Sequence, residues 1–223
     1  IPEKDISDRI YPPPEPHKYP VIIEDSCQAF PHAPRGTVAC YSLSTAKIIA
    51  TGQGGFCATR GEALYRELKS LRAHDVADAM TPAVLTWRRF GYNFRFTDIQ
   101  ASIGLAQLAK LEPRIQRLRE INALYREHLP LLPHAEHEIP LYNELILPDL
   151  ATQERLRGAL TAAGIETRPF YPLLHTAPYL KQPGPFPNAE KFAYGLVLPS
   201  GPTQKTTNIT SVCSALTELL EPA

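Results

Sequence analysis

The 223-residue chain has no surplus charge of either sign, since 23 Lys and Arg balance 23 Asp and Glu. A nucleic-acid binder is expected to carry a basic face or stripe, and the composition offers none. Arg88, Arg89 and Arg95 lie close together, but three arginines suit a solvated or substrate-facing patch better than a DNA site. No apolar run reaches the roughly 18 residues a membrane span needs, so none is expected. The N-terminus lacks the charged-then-apolar pattern of a signal peptide. Four cysteines (Cys27, Cys40, Cys57, Cys213) contain no C-x-x-C pair, and they read as buried, reduced thiols of a cytoplasmic protein. What remains is ordinary globular composition, 43% hydrophobic and 21% charged.

Along the chain, the first twenty residues hold six prolines and no periodic pattern, which predicts an extended arm over 1–20. Short apolar runs follow at Val21–Asp25, Val38–Leu43 and Gly55–Thr59, the length and composition of buried strands in a parallel sheet. The last two flank a glycine-rich turn, Thr51-Gly52-Gln53-Gly54-Gly55. Thr59 with Glu62 gives a capping-box signal before Leu64, Leu68 and Leu71, and Thr97 with Gln100 repeats it. The second pattern runs to about Leu129, with a break or kink expected at Pro113. Thr152 is the expected cap of a helix carrying Leu156 and Leu160, with Gly164 at its end. Ile165–Arg168 reads as a strand, and Ile209, Val212, Leu216 and Leu219 mark a last amphipathic helix. The expected organisation is an arm (1–20), an α/β sheet portion with a linking helix (21–129), and a small α+β unit (130–223).

Two residues stand where chemistry is expected. Asp25 ends a strand, and ligands of α/β sheets sit beyond the carboxyl ends of strands. A turn acid is the plainer reading of Asp25 taken alone. Lys47 lies between an apolar strand and the glycine turn, an unusual place for a residue that mostly occupies exposed faces. Burial there would make its amine nucleophilic, and Ser42, Ser44 and Thr45 supply hydroxyls for a phosphate. A polar loop with an exposed lysine is the competing reading.

Other signals are weaker. Ser44-Thr45-Ala46-Lys47 matches the S-x-x-K of penicillin-recognising serine enzymes, but the partner motifs Ser-Asp-Asn and Lys-Thr-Gly are missing. His134 and His137, among Glu136 and Glu138, sit in a Pro-flanked segment that reads as a solvated loop rather than a metal site. Gly52-Gln53-Gly54-Gly55 lacks the Gly-Lys-Ser/Thr of a nucleotide-binding loop.

The segments VIIEDSCQAF, YSLSTAKIIATGQGG, LKSLRAHD and GYNFRFTDIQASIGLAQLAKLEPRIQRLREINALYREHL occur in that order. GIETRPFYPLLHTAPYL and LVLPSGPT follow them. Together they resemble the DegT/DnrJ/EryC1/StrS aminotransferase family from Val21 to Leu220, and several motifs in sequence are far more specific than any one. The resemblance implies an α/β fold, the large domain of a fold type I pyridoxal-phosphate (PLP) transferase in truncated form, with a small α+β C-terminal domain. It implies transfer of an amino group, from an amino acid such as glutamate, to a nucleotide-linked keto-sugar.

It also implies roles. Lys47 would form the Schiff base with the cofactor and later act as general acid–base. Asp25 would pair with the pyridine nitrogen, so that the ring serves as electron sink. Gln28 would lie near the ring's phenolic oxygen, and Ser42 would bind the phosphate. Asn93 would reach the phosphate of a second subunit's cofactor, which implies a homodimer with a shared site. Arg168 and His175 would face the sugar nucleotide. No metal is implied.

Family members also carry a long N-terminal part with a Gly-Thr phosphate loop and an aromatic that stacks on the ring; neither is found before Val21. The segment from Gln28 to Ser42 looks shortened, and Thr37 stands where an acid is usual. Three accounts stay open at this level: a fragment of a longer protein, a chain completed by a partner, or a homologue without activity.

Overall fold

The computed structural model describes residues 21–75, 90–180 and 184–220, which fall into two compact units divided between Glu112 and Pro113. The expected arm over 1–20, and Arg88 and Arg89, lie outside the described residues.

In the first unit a three-stranded sheet has the order β1 (Ile23–Asp25), β2 (Val38–Ser42), β3 (Gly55–Ala58). β1 and β2 run parallel, with Asp25 level with Cys40; β2 and β3 are antiparallel, with Cys40 level with Cys57. Only the central strand is well buried. Val38, Ala39 and Tyr41 are covered, whereas Val21 is 57% exposed and Ile23 73%. The expectation of three buried strands therefore holds for β2 alone, because the outer strands have no neighbour on their far edges among the described residues. Tyr41, Phe56 and Phe30 form the aromatic patch on one face, Tyr41 stacking on Phe56 with centroids 4.8 Å apart.

Glu24 fixes the β1–β2 connection. Its carboxylate accepts the amides of Arg35 (2.8 Å) and Gly36 (2.9 Å) and the hydroxyl of Ser26 (3.1 Å). Burial alone would raise its pKa, but these donors and the Arg35 charge outweigh it and hold the carboxyl below its usual range.

Helix α1 (Glu62–Leu71) starts at Gly61, with no side-chain cap. Thr59 does not form the expected capping box; its hydroxyl instead donates to the Thr37 carbonyl (2.7 Å) and accepts the Gly61 amide. Helix α2 (Asp98–Leu108) does carry the box, the Thr97 hydroxyl taking the Gln100 amide and the Gln100 side chain taking the Thr97 amide. The same Gln100 donates to the Gln53 carbonyl at 2.9 Å, which ties the helix start to the glycine turn. No residue of α2 is buried, and Ile99 and Leu105 are 75% and 70% exposed.

The second unit begins in the first turn of α3 (Leu111–Arg126). The break expected at Pro113 falls just before it, at 109–110, and Pro113 sits in a first turn, where its missing N–H has no intrahelical partner to lose. The expected boundary near 129 lies later than this division. The reason is packing: Ile121 and Tyr125 of α3 belong to the same core as Leu145, Leu156, Leu160, Leu196, Leu198, Ile209 and Leu216.

That core covers one face of an antiparallel sheet of order β4 (Asn143–Ile146), β6 (Gly195–Leu198), β5 (Arg168–Pro169). Helices α4 (Leu150–Ala162) and α6 (Thr206–Leu220) contribute Leu156, Leu160, Ile209, Val212 and Leu216, each burial worth about 1.5–3 kcal/mol. A single turn, α5 (Pro187–Glu190), lies between β5 and β6 in sequence. The cap of α4 is Asp149, which accepts the Thr152 amide at 2.7 Å; Thr152 itself is not the cap. Gly164 ends the α4 segment at φ +75°, a left-handed geometry that suits glycine. Asn143 is wholly buried and satisfied: its Oδ1 accepts Asn122 Nδ2 (2.8 Å), and its amide and Nδ2 both donate to Ser200 Oγ (3.0 Å).

Candidate functional site

The carboxyl ends of β1 and β2 lie side by side because the two strands are parallel, and this edge gathers the first group of expected residues. Asp25 is the last residue of β1 and is exposed. The thiol and amide of Cys27 hydrogen-bond its carboxyl and lower its pKa; the Lys47 charge lowers it further against a small cost of burial. The acid is thus held ionised. Gln28 follows in an exposed turn. Ser42 closes β2, and its hydroxyl donates to Ser44 Oγ (3.2 Å) and accepts the Ser44 amide (3.3 Å).

Lys47 sits in the loop between β2 and β3, half-buried rather than buried. Its amide donates to the Ser44 carbonyl at 3.0 Å. The next two residues, Ile48 and Ile49, are buried and anchor the loop. Thr51 closes it: its amide donates to the Leu43 carbonyl (2.9 Å) and its hydroxyl to the Gln53 carbonyl (2.8 Å). Gly54, at φ +120°, has no room for a side chain, since a Cβ would meet Phe96 Cε2 at 2.7 Å. Lys47 and the glycine turn from Thr51 stand out in the sequence, whereas the anchoring role of Ile48 and Ile49 was signalled only by their apolar pair beside the lysine.

Asn93 stands on a different segment, bridged antiparallel to Ala73, and it is exposed. Its Oδ1 accepts Arg95 Nε at 3.1 Å. No hydrogen bond among the described residues joins it to Asp25, Gln28, Ser42 or Lys47.

In the second unit, Arg168 lines a cleft of about 380 Å³ with Glu144, Phe170, Tyr171, Leu173 and Phe192 among its neighbours. The guanidinium lies 4.6 Å from the Tyr171 ring centroid and 5.7 Å from that of Tyr142, so two aromatic rings flank its charge. His175 does not line the cleft and instead stacks on Phe186, with centroids 4.4 Å apart.

His134 pairs with Glu138 (3.4 Å) and meets the Tyr142 carbonyl (3.1 Å). No group of three or more His, Cys, Asp or Glu suited to a metal occurs among the described residues. No described helix is long and apolar enough to cross a membrane.

A profile of the DegT/DnrJ/EryC1/StrS aminotransferase family matches residues 17–217. The chain belongs to that family. It is 31% identical over 214 residues to a GDP-perosamine synthase of Escherichia coli O157:H7, a match covering 88% of this chain and 57% of that protein. Among solved structures, DesV of S. venezuelae superposes with a TM-score of 0.78 at 26% identity, covering 91% of this chain and 58% of that one. Spr1654 of Streptococcus pneumoniae, solved in a PLP-form, gives a TM-score of 0.78 at 21% identity, covering 89% and 57%. The chain thus spans a little over half the length of these relatives. The α/β fold is that of the PLP-dependent transferases over the part of their length that this chain matches, and the family is PLP-dependent.

The residues at the β1–β2 edge fit that cofactor in chemistry: an ionised acid (Asp25) for a ring nitrogen, a hydroxyl (Ser42) for a phosphate and an amine (Lys47) for an aldehyde.

Proposed function

We propose that this chain carries the cofactor-binding portion of a PLP-dependent aminotransferase that moves an amino group from an amino acid such as glutamate to a nucleotide-linked keto-sugar. The observation that supports it is the convergence of Asp25, Ser42 and the Lys47 loop at one carboxyl edge of a parallel strand pair. Bound there, the cofactor supplies an electron sink for carbanion chemistry. Asp25 holds the ring nitrogen protonated with a carboxylate that Cys27 keeps ionised. Ser42 orients the phosphate, and Gln28 stands near the ring's oxygen. The Lys47 amine holds the cofactor covalently and afterwards moves a proton at the donor's α-carbon. Arg168 draws the sugar nucleotide's negative charge into the cleft of the second unit, and His175, outside that cleft, is the weaker candidate for a contact with the same substrate. Asn93, exposed on its own segment, serves the cofactor of a second copy, so the working unit is a homodimer. A cytoplasmic location goes with the four free thiols.

Purified chain mixed with pyridoxal phosphate, reduced with borohydride and digested, is expected to carry the label on the Lys47 peptide. Lys47→Ala is expected to lose it. Equal labelling of that variant would remove Lys47 from the role.

One observation favours a second reading, a non-catalytic binding or assembly subunit. Asp25 and Gln28 are exposed. Under that reading the label is missing from both proteins.

A further inference from the structure

Three of the four cysteines, far apart in sequence, are brought together by the first sheet. Cys40 on β2 and Cys57 on β3 are direct cross-strand partners, and their Sγ atoms are 3.8 Å apart. The Leu43 amide donates to the Gly54 carbonyl at 2.9 Å, and that bond fixes the phase of the ladder. Counting back through the register, Cys40 and Cys57 form a non-hydrogen-bonded pair. Such pairs bring Cα atoms to about 4.5 Å and side chains closest together. That separation lies inside the window of about 4.4–6.8 Å that a disulfide spans. Cys57 is exposed and Cys40 half-buried, so a small oxidant can reach the first and the second can resolve the adduct. The third thiol, Cys27, is engaged elsewhere: its Sγ lies 3.6 Å from the Cys40 carbonyl, and it hydrogen-bonds Asp25.

We propose that Cys40 and Cys57 form a reversible, cross-strand disulfide on oxidation, a modification site in the same row of the sheet as Asp25. The register places Asp25, Cys40 and Cys57 level on three neighbouring strands. With a low-molecular-weight disulfide as oxidant, the Cys57 thiolate attacks one of its sulfurs, the S–S bond breaks and one small thiolate leaves. Cys40 gives up its proton and attacks the Cys57 sulfur, releasing the second. Two protein thiols are oxidised, one small disulfide is reduced to two thiols, and these take up the two protons. Burial and the neighbouring Cys57 thiol hold the Cys40 thiol above its usual pKa, which suits the resolving rather than the attacking role. Disulfide formation at this pair does not depend on the chain being an enzyme.

The test incubates the folded full chain with oxidised glutathione, alkylates the remaining thiols and maps linkages by mass spectrometry. A Cys40–Cys57 link is expected to exceed every other pairing about tenfold or more, because only this pair is pre-aligned. Dithiothreitol should reverse it, and Cys40→Ser and Cys57→Ser should each abolish it. Cys27→Ser should leave it in place. Circular dichroism of the reduced variants controls for folding. Glutathione held on Cys57 while Cys40 is still alkylated, or a dominant link through Cys27, would overturn the proposal.

Discussion

Replacing Asn122 with Leu tests whether the second unit is held by polar satisfaction as well as by apolar burial. The two side chains are similar in volume, so the change removes a hydrogen bond with little loss of packing. The bond lost is Asn122 Nδ2 to Asn143 Oδ1, 2.8 Å long and buried. Asn143 is fully buried, so its side-chain oxygen would lose the side-chain donor it has among the described residues at a place closed to solvent. An orphaned buried acceptor costs about 1–3 kcal/mol, more than the net worth of the bond itself. For a unit the size of residues 113–223, about 2 kcal/mol lowers the melting temperature by roughly 8 °C. Thermal unfolding followed by circular dichroism reads the shift, and urea midpoints with an unchanged slope check that it is stability alone. The double variant Asn122→Leu, Asn143→Leu removes donor and acceptor together. It should cost less than the sum of the singles by about 1 kcal/mol or more. Additive effects, or a single variant within about 0.5 kcal/mol of the parent, would refute the reasoning. The effect reaches the cleft, since Asn143 begins the strand that carries Glu144 into its lining.

Three further outcomes are expected. Gly195→Ala would place a Cβ 2.5 Å from Phe170 Cε2 and 2.7 Å from the Leu145 carbonyl, so the second unit should lose about 1–3 kcal/mol in a urea titration. Acid should loosen the β1–β2 connection: Glu24 is held below its ordinary value of 4.5, so its contribution is present above that pH and lost as pH falls through the lowered folded value. Protection of the Arg35 and Gly36 amides, measured against their intrinsic exchange rates, should therefore fall below about pH 4.5, and Glu24→Gln should flatten the dependence. Tyr125, whose hydroxyl donates to the Pro199 carbonyl at 3.0 Å, is pushed by burial above its ordinary value of 10.0. Its stabilisation should persist below that pH and fade as alkali rises toward the higher folded value; Tyr125→Phe should cost about 1 kcal/mol at neutral pH and remove the alkaline sensitivity.

The elements were legible where the signal was local. Thr97 and Gln100 lie three apart and fold into the capping box their spacing predicts, and the Ile209, Val212, Leu216 stripe is the buried face of α6. Signals of the same form failed where a better partner existed: Thr59 turned to the Thr37 carbonyl, and Asp149 preceded Thr152 as cap. Strand burial differs from expectation because β-branched composition reports a preference for a covered surface, while cover comes from neighbours distant in sequence. The domain boundary falls earlier than expected for a similar reason. The apolar periodicity of 97–129 is continuous, and only packing reveals that α3 belongs with the C-terminal unit. Lys47 and Asp25 stood out through motif and strand position. The Glu24 clamp was invisible, since nothing local ties an acid at 24 to amides at 35 and 36.

The uneven distribution of buried residues has a consequence for how the chain unfolds. Fourteen buried residues form one continuous core in the second unit, while the described residues of the first include only Val38, Ala39, Tyr41, Ile48 and Ile49 as buried apolar side chains. Opening free energy follows buried contacts, so amide protons of α4, β6 and α6 should exchange only through global unfolding of their unit. Those of β1 and β3 should exchange through shallow local openings. A single melting temperature measured on this polypeptide therefore reports the second unit, and the edge where Asp25, Ser42 and Lys47 gather needs a probe of its own.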